Sequence, residues 1–361
     1  MIARTIALAA LALAAPVFAQ KPDPHATVTV GSAVAKRGER AYGAIAVPAG
    51  VDSGYSMPVA VINGAKPGPV LALVAGSHGT EYASVIALTR IIAQLDPKTI
   101  SGTVIVAPLV NVASFEAMQV HLNPVDKKSM NGNYPGDPAG TQTQRALALL
   151  GEQIIKRSDV VIDLHGGDLD EDLRSYSYWV RSGNAELDAK GKELALAFGL
   201  GDIILLDLDI SQPVGRRNLS GYTLSLGKVN LVAEAGRVGV SSPEDVRSLV
   251  DGCLNVMGAL KMIDRAVTPV AHPVWIANDV RVRADSAMMF YQTVNRGDYV
   301  LKGSIIGHTT DYLGRPGADV LAPIDGIVTF VRGVPSVWKG AALVVVGAVY
   351  VDPPPYQKPA P

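Results

Sequence analysis

The sequence predicts an α/β fold: a mixed, mainly parallel sheet flanked by helices, followed by a small C-terminal all-β domain. Three observations carry this. Short apolar runs rich in β-branched residues recur at 69–75, 103–107, 159–164, 202–206 and 229–233, and read as buried strands. Helical patterns alternate with them near 81–95, 142–157, 184–198 and 243–264. After Asp264 the pattern shifts to short strands punctuated by glycine turns.

The elements follow in order. Residues 1–19 carry one early Arg4, an apolar run from Ile6 and the small-residue end Val17-Phe18-Ala19. That pattern is a secretory signal peptide, with cleavage expected after Ala19 and export, most simply to a bacterial periplasm. The apolar run is too short to span a bilayer, so no stable membrane insertion is expected after cleavage. A retained N-terminal anchor helix is the alternative, and the mass of the secreted protein separates the two. Residues 20–265 read as the catalytic domain. It opens with an alternating stretch from Val28 to Val47, a hairpin or edge strands ended by Pro48. Its last helix starts at Ser242-Pro243-Glu244, a capping residue with proline at the first helical position.

The proline-punctuated "AVTPVAHPVW" marks a boundary, and residues 272–350 read as the all-β domain. Its "RGDYVLKGSIIG" and "APIDGIV" segments resemble the biotinyl/lipoyl-like sandwich. No lysine holds the hairpin position that such carriers modify, so the expectation is a structural module. Residues 351–361 are proline-dense and read as a disordered or polyproline tail.

Composition excludes some partners. With 32 Lys and Arg against 33 Asp and Glu, the net charge is −1, which offers nothing to nucleic acid or an anionic membrane surface. The one cysteine, Cys253, precludes an intramolecular disulfide and reads as a buried small hydrophobe.

Three residues concentrate the chemistry. His78 and Glu81 in "VAGSHGTEYAS", with His165 in "VVIDLHGGD", supply two imidazoles and one carboxylate. This is the ligand set of a catalytic zinc site with one position left for water. Each segment follows an apolar strand, and the carboxyl ends of strands are where ligands collect in open α/β sheets. Asp163 shares the strand face of His165, so it or Asp168 is the candidate to orient that imidazole. Glu171 and Asp172 read as a solvated acidic loop.

Glu234 in "VNLVAEAGRVG" is a lone carboxylate at the end of an apolar strand. Burying an acid is costly without a partner or a function, and a raised pKa suits a general acid/base near neutrality. The alternative is an ion pair with Arg237.

Taken together, "GSHGTEYAS", "NPVDKKSMNGNYPGD", "DLHGGD" and "AEAGRVG" resemble the succinylglutamate desuccinylase/aspartoacylase family, amidohydrolases related to zinc carboxypeptidases. The resemblance spans residues 55–350. It implies one Zn2+ per chain on His78, Glu81 and His165, with Glu234 as general acid/base and a small-molecule amide as substrate. By the same resemblance Asn131 is the family's asparagine and a substrate-binding candidate, and Arg145 falls on a common family arginine, either structural or substrate-facing. The departures are as informative. Gly132 stands where relatives carry an arginine that grips a substrate carboxylate, and glycine supplies no guanidinium. His121 stands where many carry the arginine that polarises the scissile carbonyl; it can donate to an oxyanion or be an unrelated loop histidine. Arg181 and the pair Arg216-Arg217 are candidate replacements for the missing clamp. His25, His272 and His308 have no partner pattern.

The expected activity is hydrolysis of an amide in a small N-acylated amino acid or related linear amide. The alternatives are a periplasmic metallocarboxypeptidase acting on peptides or cell-wall fragments, and an exported zinc- or ligand-binding protein without catalysis.

Overall fold

A computed structural model describes Asp23 and residues 25–359. The expected signal peptide lies outside the described residues. The chain enters as a hairpin of β1 (Thr27–Val30) and β2 (Ala33–Lys36), whose alternate residues Val28, Val30, Ala33 and Ala35 are buried. Next come β3 (Glu39–Val47), β4 (Tyr55–Asn63), β5 (Lys66–Ala75), β6 (Ser101–Ala107), β7 (Val160–His165), β8 (Glu171–Leu173), β9 (Tyr176–Arg181), β10 (Asp202–Asp207), β11 (Val229–Glu234) and β12 (Val274–Arg283). The last strands are β13 (Met288–Gln292), β14 (Tyr299–Val300), β15 (Ile305–Thr310), β16 (Pro316–Leu321), β17 (Gly326–Arg332), β18 (Ser336–Val337) and β19 (Ala342–Tyr350).

One 13-stranded sheet organises the molecule, in the order β14-β17-β19-β12-β10-β9-β11-β7-β5-β6-β4-β3, with β8 on β17. The sheet is mixed, and its parallel character is confined to the middle. Pairs β5·β6, β5·β7, β7·β11, β9·β10 and β10·β12 are parallel. Pairs β3·β4, β4·β6 and β9·β11, and those beyond β12, are antiparallel. The cause is connection length. A parallel pair needs a long crossover, whereas the link 166–175 between β7 and β9 holds no helix, so β9 returns antiparallel and pairs with β11.

Helices cover both faces. Against one lie α1 (Tyr82–Gln94), α4 (Ala185–Phe198) and α6 (Pro243–Ala259), packing Leu88, Ile91, Leu194, Phe198, Leu249 and Val256 onto Leu71, Leu73 and Ile162. The other face is closed by α3 (Gln142–Gln153), α5 (Leu219–Ser225) and the β1–β2 hairpin, over Val70, Ala72 and Val161. A short α2 (Val112–Ala117) sits beside the turn after β5. The start of α6 is as the sequence predicts, with Ser242 Oγ accepting from Asp245 N at 3.0 Å. Its end falls earlier than 264, since the helix stops at Ala259 and Lys261 adopts a left-handed φ of 60°.

Two C-terminal features differ from expectation. The β-rich segment is continuous with the main sheet, because β12 pairs with β10 on one side and β19 on the other. Its second sheet, β16-β15-β13-β18, packs over this extension around Phe290, Ile306, Val328 and Val346. The proline-rich tail is seated rather than loose. Arg181 donates to Pro354 O at 2.6 Å, Tyr356 Oη donates to Leu208 O at 3.1 Å, and Gln357 N donates to Asp207 Oδ2 at 2.8 Å.

Candidate functional site

Strand β5 ends at Ala75 and the chain turns sharply before α1. Gly79 permits the turn to press against α2, since a Cβ there would lie 2.2 Å from Phe115 N. Ser114 Oγ accepts from Gly79 N at 3.0 Å and so fixes the loop. The turn delivers His78 and Glu81, the latter as the residue capping α1. The neighbouring parallel strand β7 ends at His165.

These three side chains converge. The two oxygens of Glu81, a residue 3% exposed, meet one imidazole each. Oε1 lies 2.7 Å from His78 Nδ1 and Oε2 2.9 Å from His165 Nδ1. His165 Nε2 faces Asp163 Oδ2 at 3.1 Å. Burial opposes ionisation of Glu81, but the adjacent His78 and His165 override it and hold the carboxyl below its usual range. Burial likewise disfavours a charged His165, and the carboxylates of Asp163 and Glu81 outweigh it. Donor atoms of His78, Glu81 and His165 lie within 4.8 Å of one another, a group able to hold a metal ion. Two imidazoles and a desolvated carboxylate, with Asp163 fixing one ring, are the donor chemistry and outer support that zinc takes.

Glu234 ends β11 in register with His165 on β7. Burial pushes its carboxyl up to about 8, against the pull of His165 and with the repulsion of Glu81, Glu171 and Asp163. No ion pair links it to Arg237 among the described residues. Two phenols that the sequence reading passed over face this carboxylate. Tyr176 is buried and Tyr178 partly so, and Glu234 adds to desolvation in suppressing the ionisation of both hydroxyls. Their strand, "YSYWVR", is aromatic rather than aliphatic, and aromatic enrichment is the signal that could have found it.

His78, Glu81, His165, Glu234, His121 and Asn131 all line one cavity of about 690 Å³. Much of its remaining wall comes from the C-terminal strands, through Asp279, Arg281, Arg283, Phe330, Arg332 and Trp338. None of these was legible as a site residue.

Of the acidic loop after His165, Glu171 lines the cavity, whereas Asp172 pairs with Arg296 at 3.0 Å. Burial and the charge of Glu81 push Glu171 up to about 7, although His121 pulls the other way. His121 has a left-handed φ of 59°, and its ring is hemmed by carboxylates. Its Nδ1 is 3.1 Å from Asp168 Oδ2, and its Nε2 is 3.4 Å from Asp170 Oδ1. Burial would lower its pKa, but these acids raise it to about 10, so the ring is an imidazolium at neutral pH. Asp168, also bonded by Thr80 Oγ1, therefore orients His121, and Asp163 alone orients the candidate ligand His165.

Two arginines expected at the substrate are committed elsewhere. Arg145 is buried and donates to Pro48 O at 2.9 Å, Asp52 Oδ1 at 2.7 Å and Ser53 O at 3.0 Å, which ties the 48–53 loop to α3. Arg181 forms a two-pronged pair with Asp207 at 2.6 and 2.8 Å and holds the tail. Arg217 turns its Nε to Gly132 O at 2.7 Å. Around Gly132 itself, at a left-handed φ of 91°, a Cβ would meet nothing within 4 Å, so neighbouring atoms do not exclude a side chain there.

An α/β sheet carries at its strand ends a two-histidine, one-carboxylate group able to hold a metal ion, with the carboxyl of Glu234 beside it, an arrangement suited to a hydrolase. The model of the succinylglutamate desuccinylase/aspartoacylase catalytic domain matches residues 67–260, and the chain belongs to this family of amidohydrolases. It is 27% identical over 325 residues to the N-alpha-acetyl-L-2,4-diaminobutyric acid deacetylase of Halomonas elongata, covering 86% of this chain and 88% of that one. A succinylglutamate desuccinylase/aspartoacylase structure from Rhodobacter sphaeroides superposes with a TM-score of 0.77 at 26% identity, covering 87% of this chain and 96% of that one. The product-bound ectoine utilization protein of Ruegeria pomeroyi shares the fold, with a TM-score of 0.78 at 21% identity over 86% of this chain and 95% of that one.

Proposed function

We propose that this protein is a zinc-dependent deacylase that hydrolyses the amide bond of a small N-acylated amino acid. The observation that carries the reading is Glu234, a half-buried carboxyl that desolvation pushes up to about 8 and that shares a cavity with His78, Glu81 and His165. Family membership and the deacetylase of Halomonas elongata support it.

His78, Glu81 and His165 would hold the zinc through their converging donors, with Asp163 steadying His165. Zinc there supplies Lewis acidity, which makes a water more acidic and a carbonyl more electrophilic. Glu234 removes a proton from the attacking water as its oxygen bonds to the carbonyl carbon. It returns that proton to the amide nitrogen as the C–N bond breaks, leaving a carboxylic acid and a free amine. The raised pKa allows one carboxyl to serve both steps near neutral pH. His121 contributes fixed positive charge at the cavity wall while Asp168 and Asp170 hold its ring nitrogens.

Export through the segment 1–19 is part of the same proposal, resting on its sequence pattern alone. The deciding assay is a panel of N-acetyl and N-succinyl amino acids, beside short peptides, offered to zinc-loaded protein. Release of free amino acid from the acylated set supports the reading. Turnover confined to peptides would replace it with a carboxypeptidase, and zinc binding without any turnover would replace it with a binding protein.

A further inference from the structure

Strand β12 changes character halfway along. Trp275, Ile276 and Ala277 are buried in the sheet. Asn278 then takes a left-handed φ of 53°, and the register with β19 slips between Ala277 and Val280. Such a bulge re-aims the strand that carries it. Beyond it, alternation sends Val282 toward the C-terminal core and turns Asp279, Arg281 and Arg283 into the cavity that holds Glu234.

The arginines lining this cavity differ in what they are free to do. Arg332 is buried, pairs with Asp170 at 2.6 Å and stacks on Trp338 with its guanidinium 4.6 Å from the ring centroid. Arg283 donates from Nη1 to Gly340 O at 2.8 Å. Arg281 and Asp279 line the cavity while remaining exposed to solvent, and neither has a hydrogen-bond or ion-pair partner among the described residues. Two opposite charges two residues apart on one strand face, each unpaired and both turned into a cavity, are poised for a ligand that carries both signs.

The placement relative to the chemistry is also informative. The Tyr178 hydroxyl resists ionisation chiefly through desolvation, then through Glu234; Asp279 adds to the effect and Arg281 opposes it. The charges of β12 and the acid of β11 thus act on one phenol. The backbone positions of Asp279 and Arg281 stand about 7 Å apart along the strand, a separation that two side chains on one face can bridge to the two charges of one small amino acid.

We propose that Arg281 is the carboxylate anchor of this site and that Asp279 receives a side-chain ammonium, so that the preferred substrates are N-acyl amino acids bearing a second, free amine. The guanidinium lost at Gly132 is on this account supplied from across the fold, by a strand of the C-terminal segment. The assignment rests on the amide-hydrolase reading of the same cavity.

The test compares Nα-acetyl-lysine and Nα-acetyl-2,4-diaminobutyrate with Nα-acetylnorleucine and Nα-acetylglutamate, each as free acid and as C-terminal carboxamide. Zinc-loaded protein should favour the cationic free acids. R281A should raise KM for free acids roughly 10- to 100-fold and leave the carboxamides unchanged, with R281K restoring part of the loss. D279N should erase the preference for the cationic side chain and keep the preference for the free acid. Equal use of acid and carboxamide by the wild type, or an equal effect of R281A on both, overturns the proposal. If no compound on the panel is hydrolysed, the amide-hydrolase reading has failed. Calorimetric binding of free 2,4-diaminobutyrate, retained by wild type and lost in R281A, would then still uphold the anchor, and binding that survives R281A would remove it.

Discussion

Glu234 and His165 are cross-strand partners, paired at the ends of the parallel strands β11 and β7. One backbone ladder therefore sets the spacing between the proposed acid/base and a candidate metal ligand. The spacing does not depend on a flexible loop, and this separates their roles experimentally.

Glu234→Gln keeps the shape of the side chain and removes its proton-transfer capacity. The expected outcome is a kcat roughly 10²- to 10⁴-fold lower with unchanged zinc stoichiometry. Metal analysis alongside steady-state rates decides it, and full activity in the variant would discard the mechanism.

Asp163 acts one step further out. Its Oδ2 holds His165 Nε2 at 3.1 Å, so Asp163→Ala frees the ring to rotate. Zinc affinity should fall roughly 10- to 100-fold, as for other outer partners of ligand histidines. Competition against a chromogenic chelator measures this, and an affinity equal to wild type would separate Asp163 from the metal group.

The pair formed by His121 and Asp168 predicts a pH window. Asp168 is lowered to about 2, because His121 and Thr80 outweigh burial, so its contribution to stability is complete above the ordinary carboxylate range and is lost as pH falls toward 2. His121 is raised to about 10, so its contribution is complete below the ordinary imidazole range and is lost as pH rises through about 10. The difference in melting temperature between wild type and His121→Asn should therefore be widest near pH 5 to 6, roughly where both groups are charged in either state. It should shrink toward both extremes. A difference that is flat across pH would show that the pair contributes packing and not charge.

Arg145 supports the fold rather than the substrate. Arg145→Ala leaves Asp52, the carbonyls of Pro48 and Ser53 and a buried space without a partner. Destabilisation of about 3 kcal/mol is expected, the lower end for breaking a buried pair, since Asp52 keeps some solvent contact. Chemical denaturation measures it. A large rise in KM at unchanged stability would return Arg145 to the substrate.

The convergence of the candidate metal group was legible in the sequence because its parts are local. His78-x-x-Glu81 and His165 each follow an apolar strand, and the strand pattern alone puts them at one sheet end. The roles of the arginines were not legible, because they are decided by contacts between distant segments. Nothing near Arg145 announces Asp52, and nothing near Arg181 announces Asp207 or a tail that comes back to Pro354. Glu171 reads as solvated until β8, which it begins, is seen to pair with β17. The antiparallel setting of β9 was hidden in the same way, since the absence of a crossover helix shows only once the sheet is assembled.

The β8·β17 ladder, Glu171 opposite Arg332 and Leu173 opposite Phe330, clips the loop that follows His165 to the C-terminal strands. The two halves of the chain are consequently stitched at the cavity itself, and loss of grip at this seam would open it while the two strand ends that carry the candidate ligands stayed in place. Warming or mild denaturant should thus abolish turnover before it releases the metal, which makes catalytic rate a sensitive gauge of whether the later strands are properly seated.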